Sequence, residues 1–299
     1  MSGNEYEETL LRPASDFIES VKNRFFPKDG QIGTPFHWNK IPFRVVKGET
    51  SLWSGYNGHG KSLFLNQCML EQAICGEPGA LASFEMPGEK NLYRMVRQAL
   101  GKANPTEEEI ENCMNWLGKK IFIYDKTGIG ELRRLKMIFN RARVDHGCTF
   151  FIIDSLMKCG IDPDDYAGQK KFMDEWQNYA QTYNVNINVI AHAKKGASEE
   201  EKPGKMDVKG TSELTDLPDN VYSIWRNKKK EDKYRECSDK QCFGPNFEKL
   251  LLEYDCLVNC SKSREFGGDV EGTFGLYFHK PSMQYIEKCG QEPFIYYEP

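Results

Sequence analysis

A short apolar strand signal runs directly into a glycine-rich turn in the stretch Ser51-Leu52-Trp53-Ser54-Gly55-Tyr56-Asn57-Gly58-His59-Gly60-Lys61-Ser62. Its first four residues predict a strand, and Ser62 to Cys75 predict a helix. The complete G-x-x-x-x-G-K-S pattern therefore stands where a phosphate-binding loop needs it, between a strand and a helix. Glycines let the backbone aim several N–H groups inward, and the helix N-terminus adds partial positive charge. A chance glycine-rich turn would not have both neighbours, so we expect a nucleotide site here.

Within this loop each side chain has an expected task. Lys61 should reach the β and γ phosphates of ATP, and the Ser62 hydroxyl should reach a Mg²⁺ ion. The other residues predicted to contact the nucleotide are Gly55, Gly58, His59, Gly60 and Leu63.

Beyond the loop, apolar strands alternate with helices. Strands are predicted at 79–84, 121–124, 149–154, 187–191, 221–225, 250–258 and 272–278. Helices are predicted at 89–101, 107–117, 130–145 and 170–183. Strands without polar alternation are buried on both faces, and a strand–helix alternation favours parallel pairing. We therefore expect one α/β domain with a mostly parallel central sheet, covered by helices on both faces.

Two carboxylates end predicted strands. Asp154 closes Phe150-Phe151-Ile152-Ile153-Asp154, at the sheet edge where the phosphate loop lies, and is expected to hold Mg²⁺ with Ser62. Glu85 follows the strand 79–84, which is expected one place over from the loop strand, and could orient a water for attack on the γ-phosphate. Judged from the local sequence alone, Glu85 could equally be a surface residue.

The first 40 residues differ from the rest and are interpreted as a linker segment before a domain at 41–299. A helix is predicted from Asp16 to Phe26 with Ser15 as its N-cap, and Pro27 ends it. Its apolar face is too small to form a core alone, and docking on its own subunit or on a neighbour stays open. The residues of this face are Phe17, Ile18, Val21 and Phe25.

Composition excludes several classes of protein. The 299 residues include no apolar run near the roughly 18 needed for a membrane span, and the acidic N-terminus resembles no signal or transit peptide, so a cytoplasmic location is expected. The net charge is −4, which restricts nucleic-acid contacts to a local strip of lysines. The spacing of Cys237, Cys242, Cys256 and Cys260 is looser than in typical zinc sites, so structural cysteines are favoured.

Four further segments carry informative patterns: Ser83-Phe84-Glu85-Met86-Pro87, Val189-Ile190-Ala191-His192, residues 207–221, and Cys260-Ser261-Lys262-Ser263-Arg264. Together with the phosphate loop they resemble the motor domain of hexameric replicative DNA helicases, a family that includes DnaB-type enzymes, phage primase-helicases and the mitochondrial Twinkle helicase. The similarity covers roughly Phe36 to Ile286. It implies a RecA-like P-loop ATPase fold with a short helical linker before it.

The resemblance also implies roles. Glu85 corresponds to the catalytic base, His192 to the γ-phosphate sensor, and Arg264 to an arginine finger that reaches a neighbour's ATP, with Lys262 as its companion. Tyr277 is a candidate for stacking on the nucleotide base. Assembly would be a homo-oligomeric ring, expected to be a hexamer, that moves 5′ to 3′ on single-stranded DNA. The lysines expected to line its central channel are Lys194, Lys195, Lys205 and Lys209.

The chain also departs from this family. No primase, zinc-binding or helical-hairpin domain precedes the motor, so a primase or loader is expected on a separate chain. The stretch 226–249 is longer and more charged than the core pattern needs. Its Lys228-Lys229-Lys230 run is interpreted as a solvated loop, with a contact to DNA or to a partner as the alternative. Two alternatives stay open: a RecA-like strand-exchange or assembly ATPase, and a non-motor P-loop binding protein or kinase.

Overall fold

The computed structural model describes residues 12–27, 31–162, 165–193, 213–239 and 244–298, and within these ranges nine strands form one sheet. The strands are β1 (Thr50–Ser54), β2 (Gly79–Ser83), β3 (Ile121–Tyr124), β4 (Phe150–Asp154), β5 (Asn186–Ile190), β6 (Asn220–Arg226), β7 (Cys256–Ser263), β8 (Gly272–His279) and β9 (Gln284–Ile286). Their order across the sheet is β3-β2-β4-β5-β1-β6-β7-β8-β9. The first six are parallel and the last three pair antiparallel.

Helices of the described residues connect and cover these strands. They are α1 (Ile18–Phe25), α2 (Lys61–Ile74), α3 (Gly88–Leu100), α4 (Glu107–Leu117), α5 (Leu132–His146), α6 (Tyr166–Tyr183), α7 (Glu213–Asp216), α8 (Lys228–Asp239) and α9 (Pro245–Leu252). No helix in the described ranges is long and apolar enough to cross a membrane.

Strand residues alternate between two apolar cores, one on each face of the sheet. Trp53 and Ile152 pack with α2, α3 and α4, whereas Leu52 and Ile153 pack with α5 and α6. This alternation explains why the central strands are apolar throughout, because successive side chains point to opposite faces and both faces are covered. The predicted α/β class, with a mostly parallel sheet between helical layers, is confirmed.

The segment before β1 packs into one of these cores. Trp38 is fully buried, its indole N–H donates to the carbonyl oxygen of Tyr285 at 2.8 Å, and its ring stacks on Phe64 with centroids 5.1 Å apart. The boundary predicted near residue 40 therefore falls inside a packed segment. Earlier in the chain, the predicted helix exists but begins differently: Ser15 lies inside a 3-10 turn, Ala14–Phe17, and its side chain does not cap α1.

The interpretation of the Lys228-Lys229-Lys230 run as a solvated loop is wrong. The lysine run lies in α8, and Lys230 is buried, with its ammonium 2.7 Å from a carboxylate oxygen of Asp255. It also donates to the carbonyl oxygen of Glu253 at 2.5 Å. The strand predicted from Leu250 begins at Cys256 instead, since Leu250 lies in α9. A run of charged residues indicates an exposed segment only if none of its charges finds a partner inside the fold, and Lys230 does find one.

Two of the cysteines considered for zinc, Cys256 and Cys260, are buried on β7. Cys242 lies outside the described residues. Among the described residues, no group of three or more His, Cys, Asp or Glu side chains is arranged to hold a metal ion.

Candidate nucleotide-binding site

A cleft of about 740 Å³ lies at the carboxyl ends of the central parallel strands. Its walls include the loop after β1 and the first turn of α2, and it is lined by Glu85, Asp154 and His192. These residues follow or end β2, β4 and β5, which are neighbours in the sheet. The expectation that β2 lies one place from β1 is wrong, because β4 and β5 stand between them. Even so, the structure brings the predicted residues together around one cleft.

Close packing imposes glycine at two positions of the loop. Gly60 has φ 89°, and a Cβ there would overlap the hydroxyl of Tyr285. At Gly55, with φ 153°, a Cβ would overlap the carbonyl oxygen of Ile224 on β6. Both positions need the left-handed conformations and the space that only glycine accepts. His59, although predicted as a nucleotide contact, turns its ring inward, where Nδ1 accepts the backbone N–H of Arg226 at 3.0 Å.

Lys61 lies at the base of the cleft and is nearly buried. Its ammonium donates to the carbonyl oxygens of Gly55 and Tyr56 at 2.9 and 3.0 Å, and lies 3.4 Å from Nδ1 of His192. Burial lowers the pKa of Lys61 to about 8, against the opposing effect of Asp154 and Glu85. The ammonium thus lies at the phosphate loop, where phosphate oxygens could replace its two carbonyl partners.

The side-chain oxygens of Asp154 and Ser62, the two candidate Mg²⁺ ligands, lie side by side. The Ser62 hydroxyl bonds the Asp154 carboxylate, and Asp154 is 2% exposed. Burial raises the pKa of Asp154 to about 6, although the Ser62 bond lowers it. A buried carboxylate beside a hydroxyl at a phosphate loop is the oxygen set that suits Mg²⁺, which takes its remaining ligands from phosphates and water. The residues present therefore fit this ion.

Glu85 is held by two partners across the cleft. Its Oε1 accepts the hydroxyl of Ser155 at 2.6 Å and lies 3.0 Å from Nε2 of His192. The bond to His192 is the largest cause that lowers the pKa of Glu85 to about 2, so the carboxylate is ionised. Reasoning from sequence missed Ser155. The available signal was its place directly after Asp154, at the end of a strand next to β2.

Three cations of the cleft were also missed: Arg94 on α3, Lys158, and Arg226 at the end of β6. Arg226 donates through Nη1 to the carbonyl oxygen of Gly58 at 3.3 Å and forms an ion pair with Glu231. Positive side chains around a phosphate loop favour an anionic ligand. Before the fold is known, no sequence pattern distinguishes these three residues from the other charged residues of the chain.

Arg264 and Lys262 lie at the opposite edge of the sheet from the cleft, where the parallel strands β6 and β1 begin. Ser263 pairs with Asn220, the first residue of β6, and Asn220 pairs with Ser51 near the start of β1. About 16 Å of strand separates that edge from the loop. Lys262 donates to the carbonyl oxygens of Asp216 and Pro218, each at 2.6 Å. Neither cation lines the chain's own cleft.

Tyr277 lies in a second pocket of about 250 Å³, where its hydroxyl donates to the carbonyl oxygen of Leu252 at 2.9 Å. A cavity of about 100 Å³ touches residues of both pockets, including Leu63 of the first and Phe278 of the second. The four lysines predicted to contact DNA, Lys194, Lys195, Lys205 and Lys209, lie outside the described residues.

Comparisons with known proteins agree with this architecture. The family model described as AAA domain matches residues 35–198, more than half of the chain. No curated protein is similar enough in sequence to count as a match. The structure is similar to a solved ATPase domain, with a TM-score of 0.72 at 16% identity over 92% of this chain and 99% of that one.

A DnaB-like replicative helicase, whose structure was described with its interactions with primase, is similar with a TM-score of 0.70 at 16% identity. That match covers 94% of this chain and 69% of the helicase chain. Both likenesses concern the fold. The chain belongs to the AAA domain family, and it has the RecA-like P-loop fold of the ATPase domains of DnaB-like helicases.

Proposed function

We propose that this chain is the ATP-hydrolysing motor of a ring-shaped replicative DNA helicase. One observation supports this most directly: a phosphate loop, a buried carboxylate and a held glutamate share one cleft, while Arg264 stands at the opposite sheet edge. A subunit with these two edges can complete a neighbour's site but not its own. Its function then depends on assembly.

In the proposed reaction, ATP places its phosphates at the loop, and Lys61 exchanges its carbonyl partners for phosphate oxygens. Ser62 and Asp154 would hold Mg²⁺, which would neutralise charge on the phosphates. Glu85 orients the attacking water and takes its proton, and His192 senses the γ-phosphate. Tyr277 stacks on the base, a role supported by the cavity whose lining includes residues of both its pocket and the nucleotide cleft. Arg264 of the neighbouring subunit, accompanied by Lys262, stabilises the charge that develops on the γ-phosphate.

Head-to-tail contacts between unlike edges close into a ring when the rotation per subunit allows, and the resemblance implies six subunits. The single strand would pass through the centre, gripped through its phosphates by Lys194, Lys195, Lys205 and Lys209. The resemblance implies 5′ to 3′ movement, and a separate primase or loader is the further partner that we propose. Such a motor would work in the cytoplasm, or in the host cytoplasm if a phage encodes it.

Particle mass tests this proposal against the strand-exchange alternative. We expect a closed hexamer with a non-hydrolysable ATP analogue, ATPase activity stimulated by single-stranded DNA, and unwinding of a forked duplex that has a free 5′ arm. An open-ended distribution of masses, with strand pairing but no unwinding, would favour a RecA-like filament instead. A monomer that transfers phosphate to a small acceptor would favour a kinase.

A further inference from the structure

The Arg264 side chain is not free at the sheet edge, because a buried carboxylate holds it. Nη1 of Arg264 lies 2.7 Å from Oδ1 of Asp219. The Arg264 side chain is 50% exposed, whereas that of Asp219 is 4% exposed. The backbone N–H of Arg264 also donates to the carbonyl oxygen of Asp219 at 2.9 Å. Main chain and side chain are thus both fixed to one residue.

Asp219 is itself held rigidly by the sheet and a helix. Its Oδ2 accepts the backbone N–H of Thr50 at 2.8 Å and the Thr50 hydroxyl at 3.1 Å, and Gln177 on α6 donates to Oδ1 at 3.4 Å. Thr50 is the first residue of β1, the strand that ends at the phosphate loop. Removing the Arg264 cation would leave the buried Asp219 carboxylate without its charged partner, which is unfavourable. We therefore expect the pair to persist while Arg264 works.

A guanidinium can keep this partner and still bind a second anion. It has five N–H donors in one plane. Nη1 contacts the carboxylate of Asp219, and Nη2 donates to the carbonyl oxygen of Leu217 at 3.4 Å. Half of the side chain stays open to solvent. Because the group is planar, fixing one edge sets the direction of the other.

We propose that Asp219 is a positioning residue for Arg264: it holds one edge of the guanidinium so that the other faces the ATP of the neighbouring subunit. The inference rests on the proposed function, in which Arg264 acts across a subunit boundary. Asp219 touches no nucleotide in this arrangement. Its effect on hydrolysis passes through Arg264 alone.

The test is Asp219→Asn, which preserves size and an acceptor for Thr50 but removes the charge. We expect kcat of the assembled protein to fall at least tenfold, with KM for ATP and the mass of the ring unchanged. Thr50→Val is the matched control, because it deletes the hydroxyl bond to the same carboxylate and leaves the ion pair intact; its kcat should stay within about twofold of the parent. An unchanged or higher kcat for Asp219→Asn would overturn the proposal.

Mixing experiments separate positioning from general damage to β1. Asp219→Asn subunits have a normal phosphate loop, so adding Lys61→Ala subunits, which have a normal Arg264, should restore part of the activity. Damage to the variant's own loop would not be restored in this way, and that result would contradict the inference. Arg264→Ala mixed with Lys61→Ala is the reference pair: if mixed rings form and this pair stays silent, the trans role of Arg264 fails first.

Should Asp219→Asn not fold, Asp219→Glu keeps the charge and displaces the guanidinium by one methylene. The same fall in kcat and the same restoration by Lys61→Ala subunits are expected. A folded Asp219→Glu variant with parental kcat would count against the positioning role.

Discussion

His192 stands between the two groups that would carry the hydrolytic step, and its tautomer follows from its partners. The ammonium of Lys61 has only donors, so Nδ1 of His192, 3.4 Å away, must accept. Nε2 must then carry the proton that it donates to the carboxylate of Glu85 at 3.0 Å. The His192 ring thus joins the loop lysine to the candidate base. Any phosphate that attracts Lys61 also changes the environment of Glu85.

A first prediction separates binding from chemistry at these residues. Lys61→Ala should abolish tight ATP binding, because the ammonium neutralises phosphate charge in the ground state. Glu85→Gln should bind ATP normally and lose hydrolysis, because the carboxylate acts only on the attacking water. Equilibrium binding of a fluorescent ATP analogue and steady-state ATPase measure the two effects. Equal loss of binding in both variants would refute this division.

Ser155 offers a second prediction at the same scale. Ser155→Ala removes the hydroxyl that donates to Glu85 at 2.6 Å. A hydrogen bond to a charged group is worth about 1.5–3 kcal/mol, so kcat should fall about tenfold while ATP affinity stays constant. Ser155→Thr retains a hydroxyl and serves as the control. Parental kcat in the alanine variant would show that His192 alone holds the base.

Strand β1 begins beside a carboxylate whose titration should be visible in stability. Glu49 is buried and accepts a hydrogen bond from Asn220 at 2.9 Å, and burial raises its pKa from 4.5 to about 7. Because the folded pKa is raised, its contribution to stability is complete below about pH 4.5 and is lost as pH rises through about 7.

We therefore expect Glu49→Gln to be more stable than the parent at pH 8, by about 3 kcal/mol in the free energy of unfolding. The difference should shrink towards zero near pH 4.5. Urea denaturation of both proteins across this pH range measures it. A constant difference at every pH would mean that Glu49 does not titrate in this window.

The amphipathic helix α1, together with the 3-10 turn before it, exposes its apolar face in the single subunit. Phe17, Ile18, Val21 and Phe25 are 43–75% exposed. Arg24 of the same helix forms an ion pair with Glu265, the residue after Arg264. Burying four such side chains would contribute several kcal/mol, which favours docking on an adjacent subunit near the proposed boundary.

Deleting residues 1–30 should therefore shift the assembly from rings towards monomers at equal protein concentration. Mass photometry or light scattering with a non-hydrolysable ATP analogue measures the shift. A substitution of Arg24 by Ala serves as a milder variant that leaves the apolar face in place. A deletion variant that retains intact rings would contradict docking on the neighbour.

At the scale of the whole molecule, the acidic net charge of −4 makes any grip on DNA a local property. Neutralising two of the lysines proposed to line the channel, Lys194 and Lys209, should weaken binding to all single-stranded sequences alike. The slope of log affinity against log salt should flatten by about one unit per lost phosphate contact. Neutralising exposed lysines of α8, such as Lys233, is the control. An unchanged slope would remove these lysines from the grip.

Local sequence patterns were enough to predict much of the secondary structure. The phosphate loop, α4 and the central strands were predicted from the sequence within a few residues, because glycines, strand apolarity and helix caps act over short distances. The capping box of α4, Thr106 with Glu109, shows such a local rule in the structure. Strand order was beyond this reasoning, since alternation of strands and helices does not say which strands become neighbours.

The sequence by itself therefore determined the kind of site: a phosphate loop after a buried strand, with carboxylates at strand ends. Only the tertiary structure decided which charges meet. Glu85 and His192, 107 residues apart, come within 3.0 Å, and Asp219 receives Arg264 at 2.7 Å. Lys230, which resembles a solvated charge in the sequence, is buried against Asp255. The physical reason is that the cost of burying a charge depends on its partner, and long-range packing chooses that partner.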